Sequence, residues 1–321
     1  MKLSDCSDEE QRSLRVLQAR IGRTHLRHRL ALEGEHEAHV FRRGTHFFHL
    51  ENWFSSHALM RGVLRLAGVH GRGRRNALRI QLREQELAPR RLPPVFDGYR
   101  LLHLSDLHLD VGAAFVDALI ERVRGLAYDA CVLTGDYRFR TFGPPGPAMD
   151  ALERLRSHLR DPVYAVLGNH DSIRMVPRME AMGLRVLLNE SVCIEREGQA
   201  LHLAGIDDAH YFRTQGYHKA ADGIPPQDCA VLLSHTPEAY RHAAHCGFDL
   251  MLCGHTHGGQ ICLPGGVPVL TDADAPRAYA RGLWRFQDML GYTSVGCGTS
   301  IVDVRLNCLP EIDLHTLRCA R

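Results

Sequence analysis

The sequence predicts an α/β protein built on a largely parallel sheet and preceded by a helical N-terminal segment of different character. Three observations carry this. From Tyr99 onward, short apolar runs alternate with amphipathic helical periods, the pattern of βαβ units. Five of those apolar runs end in Asp, Asn or His. Residues 1–95 hold 18 Lys/Arg and 10 Asp/Glu, a surplus of +8; because the whole chain carries +2, the remainder carries −6. Such asymmetry places the two parts of the chain before different partners.

The first thirty or so residues form a polar, Arg-rich helical pattern. HFFHLENWFSSHALMRGVLRLAG follows, with Phe47, Leu50, Trp53, Phe54, Met60 and Leu64 near helical spacing, and then GRGRRNALR. The Pro-rich LAPRRLPPVFDGY marks a boundary, since Pro89, Pro93 and Pro94 favour extended chain. Residues 1–95 are therefore read as a basic, helix-rich extension and 96–321 as the main domain. RLLHLSD is a buried strand and VGAAFVDALIERVRGL an amphipathic helix. DACVLTGD and ALERLRSHLR repeat the unit, as do VYAVLGNHD and SIRMVPRMEAMG. VLLNESVCIEREGQALHLAGIDD gives two strands around a turn at Glu195–Gly198. AVLLSH and DLMLCGH add two more, with a helix near PEAYRHAAHCG between them. After Gly258 the chain is Gly/Pro-rich with short extended runs, a closing β region.

With 321 residues, 45% of them hydrophobic and 24% charged, the chain has ordinary globular usage. The N-terminus lacks the apolar core of a signal peptide, and no run approaches the roughly 18–20 apolar residues that span a bilayer. The ten cysteines form no CxxC pair, and Cys131, Cys229 and Cys253 sit inside apolar runs. A reducing, cytosolic setting is expected.

The strand ends carry the chemistry. RLLHLS ends in Asp106-Leu107-His108, CVLTG in Asp136, and YAVLG in Asn169-His170-Asp171; VLLS ends in His235, and DLMLCG in His255-Thr256-His257. In open α/β sheets the C-terminal strand ends converge on one crevice, so these scattered residues are expected to meet. Two Asp, four His and one Asn offer oxygen and imidazole donors with no thiolate. That set suits Mn, Fe or Zn, whereas Ca and Mg take more oxygen. Seven donors exceed one tetrahedral ion and suit two that share a bridge. Two ions roughly 3.5–4 Å apart can hold a hydroxide and stabilise in-line displacement at phosphorus.

Each residue also has a plainer reading. Asp106 and Asp136 can cap the following helices, Asn169-His170-Asp171 can form a turn, and His255 and His257 can be loop residues in a chain with 21 histidines. Gly258 and Gly259 either allow close backbone approach to the metals or form a turn. His103 and His202, inside strands, read as satisfied residues. Asp207, Asp208 and His210 in AGIDDAHYF are further candidates for lining the crevice.

Taken in order, Asp106-x-His108, Gly135-Asp136, Gly168-Asn169-His170-Asp171, His235 and Gly254-His255-x-His257 resemble the motif set of the calcineurin-like metallophosphoesterases. The resemblance covers the chain from about residue 99 to the end and leaves residues 1–95 outside it. It implies a four-layer αββα sandwich of two mixed β-sheets, to which the residue pattern adds the N-terminal helical extension. It also implies a two-metal hydrolase that cleaves a phosphoester or pyrophosphate bond with a metal-bridging hydroxide. Carried over position by position, Asp106, His108 and His257 go to the first metal and Asn169, His235 and His255 to the second. Asp136 bridges both, and His170 stabilises or protonates the leaving oxygen. Two divalent ions are implied, manganese first, with iron or zinc as alternatives.

One departure stands out. Many members carry a second acid three residues after the bridging Asp, where it orients the catalytic histidine; here that position is Phe139. Asp171 is a candidate replacement, and Arg138 or Arg140 are candidates to face an anionic substrate. LPPVFDGYRLLHLSDLH and the ending around VRLNCLPEI resemble a bacterial branch that includes membrane-associated members. Some of that branch cleave the pyrophosphate bond of UDP-2,3-diacylglucosamine, a lipid A precursor. The resemblance thus implies a phosphate-containing small-molecule or lipid substrate, UDP-2,3-diacylglucosamine first among them. A nuclease or cyclic-nucleotide phosphodiesterase with the same centre is the alternative, disfavoured by the acidic main domain. A metal-free scaffold of this fold is disfavoured by competent residues at all seven ligand positions. Residues 46–79 read either as a helix packed on the domain or as an interfacial helix on an anionic membrane, with Trp53 and Phe54 inserted and Arg72, Arg74, Arg75 and Arg79 at the headgroups. The second reading places the protein in the cytoplasm, peripheral on the inner face of the membrane.

Overall fold

The computed structural model describes residues 8–42 and 53–320. Two six-stranded mixed sheets stack face to face, because strands that are apolar on both faces need cover on both. The first sheet runs β1 (Gln81–Leu87), β14 (Glu311–Leu317), β2 (Arg100–Leu104), β3 (Ala130–Leu133), β4 (Val163–Ala165), β5 (Leu184–Val186). The second runs β12 (Gly282–Phe286), β13 (Met289–Thr293), β9 (Leu250–Cys253), β8 (Cys229–Leu233), β7 (Gln199–Gly205), β6 (Glu190–Arg196), while β10 (Cys262–Leu263) and β11 (Val267–Pro268) pair separately. Strands β2 to β5 run parallel, as do β7, β8, β9 and β13.

The two-residue period of each strand divides it between two cores. Leu101, Ala130 and Val132 meet Leu203, Val231 and Leu252 between the sheets. Leu102, Leu104, Cys131 and Leu133 face outward beneath α5 (Ala113–Val123), α6 (Gly146–Arg156) and α7 (Val176–Ala181). On the far side, Ala230, Leu232 and Met251 pack under α8 (Tyr217–Ala221) and α9 (Tyr240–His245). The layers are α, β, β, α, as the resemblance implied.

Residues 81–87 lie before the expected boundary near residue 95, and they form the edge strand of the first sheet, paired in parallel with β14. Of the helices before it, α1 (Asp8–Ile21) and α2 (Arg23–Arg42) are separated at Gly22, whose φ is 92°. Leu14, Leu17, Ile21 and Leu26 are buried in the same core as α5 to α7; their spacing lays one apolar stripe along a charged helix. Polar contacts fix α2 as well. Arg29 is fully buried, with its guanidinium 3.4 Å above the centre of the Phe212 ring, and it donates to the Asp171 carbonyl at 2.9 Å. Asp207 takes His25 at 2.8 Å and Arg29 at 3.5 Å. Burial alone would raise the Asp207 carboxyl, but Arg29 and His25 outweigh it and hold the group well below the usual range. Glu33 accepts from Ser172 Oγ at 2.6 Å and from the Ile173 amide at 2.8 Å.

Helices α3 (Trp53–Leu66) and α4 (His70–Ala77) rest on the segment around Val304. Leu64 packs there with Val302, Val304 and Leu306, while Leu59, Val63 and Leu66 are 70%, 55% and 90% exposed. Phe47 and Leu50 of the expected interfacial stretch lie outside the described residues, as do the side chains of Trp53 and Phe54. Among the described residues, no helix is long and apolar enough to cross a membrane.

Between the sheets sits a polar pair. His103 bonds Thr134 Oγ1 at 2.8 Å and His315 Nε2 at 3.2 Å. Burial pushes His103 down to about 3 and His315 well below the ordinary value. Both are neutral in the folded chain at pH 7, whereas in the unfolded chain each titrates at about 6.5. Below that value the unfolded chain binds the extra protons, so stability is complete above pH 6.5 and is lost as pH falls toward 3. Lowering pH from 7 to 5 in chelator should cost about 2 kcal/mol for each histidine, read from denaturant midpoints. His103→Gln should flatten that slope; an unchanged slope would remove the assignment.

Candidate metal centre

The residues singled out by their positions at strand ends all reach one crevice. Asp106 and His108 follow β2, Asp136 follows β3, and Asn169 and His170 follow β4; His235 follows β8, and His255 and His257 follow β9. The chain turns sharply as it leaves these strands. Asp106, His108, Asp136, His255 and His257 all have positive φ, from 42° to 72°, a region that costs a non-glycine residue about 1–2 kcal/mol. Strain of this kind persists only where its surroundings over-determine it, and it clusters at functional sites. Glycines let the turns approach each other: a Cβ on Gly168 would lie 2.2 Å from Asp136 Oδ1, and one on Gly254 2.4 Å from Asp106 Oδ2.

Three buried groups result: Asp106, His108 and His257; His108, Asp136 and His170; and Asp136, His235 and His255, each with its ligand-type atoms within 4.8 Å of one another. His108 Nε2 lies 3.2 Å from His257 Nε2, which is 3.5 Å from Asp106 Oδ1. His235 Nε2 lies 2.9 Å from Asn169 Oδ1 and 3.1 Å from His255 Nδ1. Asp136 Oδ2 stands between the two sets, 3.8 Å from His108 Nε2 and 3.3 Å from His235 Nε2. Separations near 3.0–3.4 Å are the edges of a coordination polyhedron with bonds of about 2.1 Å. Donor chemistry and spacing both fit divalent ions.

The electrostatics agree. Burial pushes His108 down to about 3 and holds His255 and His257 well below their ordinary value, so their ring lone pairs are free at neutral pH. Burial would raise Asp136, but the imidazoles of His235, His170 and His108 outweigh it and keep the carboxyl ionised. Burial likewise opposes charge on His235, yet Asp136 and Asp106 raise it to about 10. The proton held there is one that a bound cation would displace. The remaining ring nitrogens are fixed from behind: His108 Nδ1 by the Arg138 carbonyl at 2.9 Å and His235 Nδ1 by the Thr134 carbonyl at 2.7 Å. Such supports set ring tautomer and direction.

Asp171 does not partner His170. Its carboxylate accepts from the amides of Gly168 (2.8 Å), Asp136 (2.8 Å) and Tyr137 (2.9 Å), tying the β3 and β4 turns together. Thr141 Oγ1 lies 3.3 Å from His170 Nδ1 instead, and Phe139 meets His108 edge-on at 6.0 Å. Arg138 is not available to a substrate: its guanidinium donates to the carbonyls of His170, Thr141 and Gly143. Gly258 and Gly259 avoid neighbours other than metals; a Cβ would meet Val295 at 2.5 Å on the first and Pro268 at 2.3 Å on the second.

His103 and His202 are satisfied, the latter by Asp228 at 2.9 Å. Asp207 faces α2, and Asp208 accepts from the amides of His210, Tyr211 and Phe212. Only His210 of that trio adjoins the centre, its ring 4.4 Å from that of His255 and its Nδ1 on Glu238 at 2.8 Å. Sequence reasoning missed Thr141, Glu238 and Arg305. Arg305 is fully buried and donates to the carbonyls of His257, Val295, Gly296 and Gly298, bracing the loop that holds His257. A lone arginine inside the apolar run VDVRLNCL was the available signal.

Residues 99–259 match the family model described as calcineurin-like phosphoesterase. The uncharacterized metallophosphoesterase YkoQ of Bacillus subtilis is 30% identical over 237 residues, covering 70% of this chain and 85% of that protein. Phosphodiesterase YaeI of Escherichia coli is 28% identical over 238 residues, 68% of this chain and 82% of its own. UDP-2,3-diacylglucosamine pyrophosphatase LpxG of Chlamydia muridarum is 25% identical over 234 residues, 54% of this chain and 69% of its own. With this match and a buried Asp/His centre suited to divalent ions, the chain belongs to the calcineurin-like phosphoesterase family and is a metal-dependent phosphoesterase.

Proposed function

We propose that the protein hydrolyses a phosphodiester or pyrophosphate bond in a lipid- or nucleotide-linked substrate, with UDP-2,3-diacylglucosamine as the leading candidate. The observation that supports this best is Asp136 Oδ2, shared between two donor sets. Asp106, His108 and His257 would hold one ion, Asn169, His235 and His255 the second, and Asp136 both; manganese suits these mixed oxygen and nitrogen donors. Two such ions, when bound, supply an activated water and positive charge for the phosphoryl oxygens. The protein's own part is alignment and proton supply. His170 Nε2 lies 3.8 Å from Asp136 Oδ2, at the edge of the centre, and on this reading it donates to the departing oxygen. Thr141 holds its other nitrogen, a neutral partner in place of the usual carboxylate. Hydrolysis of bis(p-nitrophenyl) phosphate and of UDP-2,3-diacylglucosamine by manganese-loaded protein is the test. Turnover of the first without the second would remove the substrate and keep the reaction.

The likeness to LpxG supports a lipid-linked substrate, and α3 supports contact with a membrane surface. Leu59, Val63 and Leu66 fall on one helical face, exposed, with Arg61 and Arg65 on the same helix and Arg72, Arg74 and Arg75 on α4. On this reading the helix lies on the inner face of the membrane, with Arg65 and the arginines of α4 at anionic headgroups. Leu59→Glu/Val63→Glu should lower affinity for vesicles containing phosphatidylglycerol by about a hundredfold or more, read by co-sedimentation, since two buried leucine-sized side chains contribute roughly 3 kcal/mol. Equal binding by the wild-type and variant chains would eliminate the contact.

A further inference from the structure

Beside the centre, a groove of about 460 Å³ runs from the loop after β3 to α3, and Arg61, Arg140, Phe139, Phe142, Asp110 and Asp303 are among the residues that line it. Its wall adjoins the centre through the loop after β3. Phe139 packs edge-on to His108, and Thr141 in the same loop touches His170. Its two acids are already engaged. Asp110 accepts from the Phe139 amide at 2.6 Å, and Asp303 pairs with Arg74 at 2.9 Å. Its two outer arginines are not: among the described residues, neither Arg61 nor Arg140 has a hydrogen-bond or ion-pair partner, and both are exposed. The groove is therefore net cationic at its lip and aromatic on its wall. One of its two unpaired cations comes from the N-terminal extension.

We propose that this groove is a nucleotide subsite. The guanidinium groups of Arg61 and Arg140 hold the second phosphate of a pyrophosphate-linked substrate, and its nucleoside ring lies against Phe139 and Phe142. The assignment rests on the phosphohydrolase reading of the adjoining centre, which takes the first phosphate. Planar guanidinium forks match phosphate oxygens in pairs, and a groove of this size is in the range that encloses a small ligand. An acyl chain in the same place would lie between two charged groups that need water. The extension thus contributes directly to substrate selection through Arg61.

Calorimetric binding of UDP and of inorganic phosphate to the manganese-loaded full chain tests this. Arg61→Ala and Arg140→Ala should each weaken UDP about tenfold, the loss of one charge-assisted contact. Inorganic phosphate should be weakened much less, so that the ratio of the two affinities falls. Arg61→Lys should keep part of the gain. Arg122→Ala, on the exposed face of α5, controls for net charge. Unchanged UDP affinity in the double variant, or equal losses for UDP and phosphate, would overturn the subsite. Preference for dihexanoyl phosphatidic acid over UDP would overturn the nucleoside. Wild-type chain that binds UDP as described but hydrolyses no phosphodiester or pyrophosphate would sink the phosphohydrolase reading and leave the subsite standing.

Discussion

Asp136→Ala is expected to lower turnover of bis(p-nitrophenyl) phosphate by about a thousandfold or more, and to reduce bound manganese below two ions per chain. The magnitude follows from what the side chain touches. One oxygen stands between the two donor sets, and the other accepts from the His170 amide at 2.9 Å. Removing the carboxylate takes away the ligand proposed to be shared and loosens His170, the residue proposed to protonate the leaving group. Losing several kcal/mol of charge stabilisation corresponds to that rate. Alanine must also adopt a φ of 58° there. Asp136→Asn separates these effects, since it keeps shape and one oxygen but not the charge; it should retain more fold stability than Ala and nearly as little activity. Elemental analysis of the purified chains together with initial rates decides the matter. Two ions per chain in the Ala variant, or undiminished turnover, would end the bridging assignment.

The second large effect is on stability. Arg29→Ala should destabilise the fold by about 3–5 kcal/mol, the usual cost of leaving a buried charge without its partner. Arg29 and Asp207 are both buried, and the arginine also covers Phe212 and caps the Asp171 carbonyl. His25 remains to Asp207, so the loss is softened but not removed. Arg29→Lys should fall between, because an ammonium keeps the charge and loses the flat contact over the ring. Guanidinium denaturation in chelator measures it without help from bound ions; a loss under about 1 kcal/mol would show the pair to be dispensable. The same packing bears on how membrane contact is tested. A chain beginning near Pro93 would lack β1 and the stripe of Leu14, Leu17, Ile21 and Leu26, so point variants on α3 are the sound comparison.

What could be read from the sequence divides along physical lines. Buried parallel strands are continuous apolar runs, and the residue that ends each run is fixed in space by the sheet. Asp106, Asp136, His170, His235 and His255 were therefore legible as a set although they are far apart in the chain. Side-chain direction was not legible. Asp171 follows His170 directly, yet it turns to three backbone amides, which carry no residue-type signal. Nor was the role of the N-terminal helices, because their apolar stripe is narrow and diluted by arginines whose partners, such as Asp207, lie far along the chain. β1 was hidden for a related reason: QLREQEL puts charges on an edge strand, where they guard against further pairing and disguise the strand.

Asp171 links two parts of the molecule that function separates. Its carbonyl is held by Arg29 of α2, while its carboxylate holds the backbone of Asp136 and Gly168. Whatever fixes the turn carrying Asp136 therefore also favours the docked position of α2, and the dependence is reciprocal, as any coupling between two binding equilibria must be. Ions entering the centre should protect the Arg-rich N-terminal helices from trypsin, and loosening those helices should weaken the hold on the ions by the same free energy.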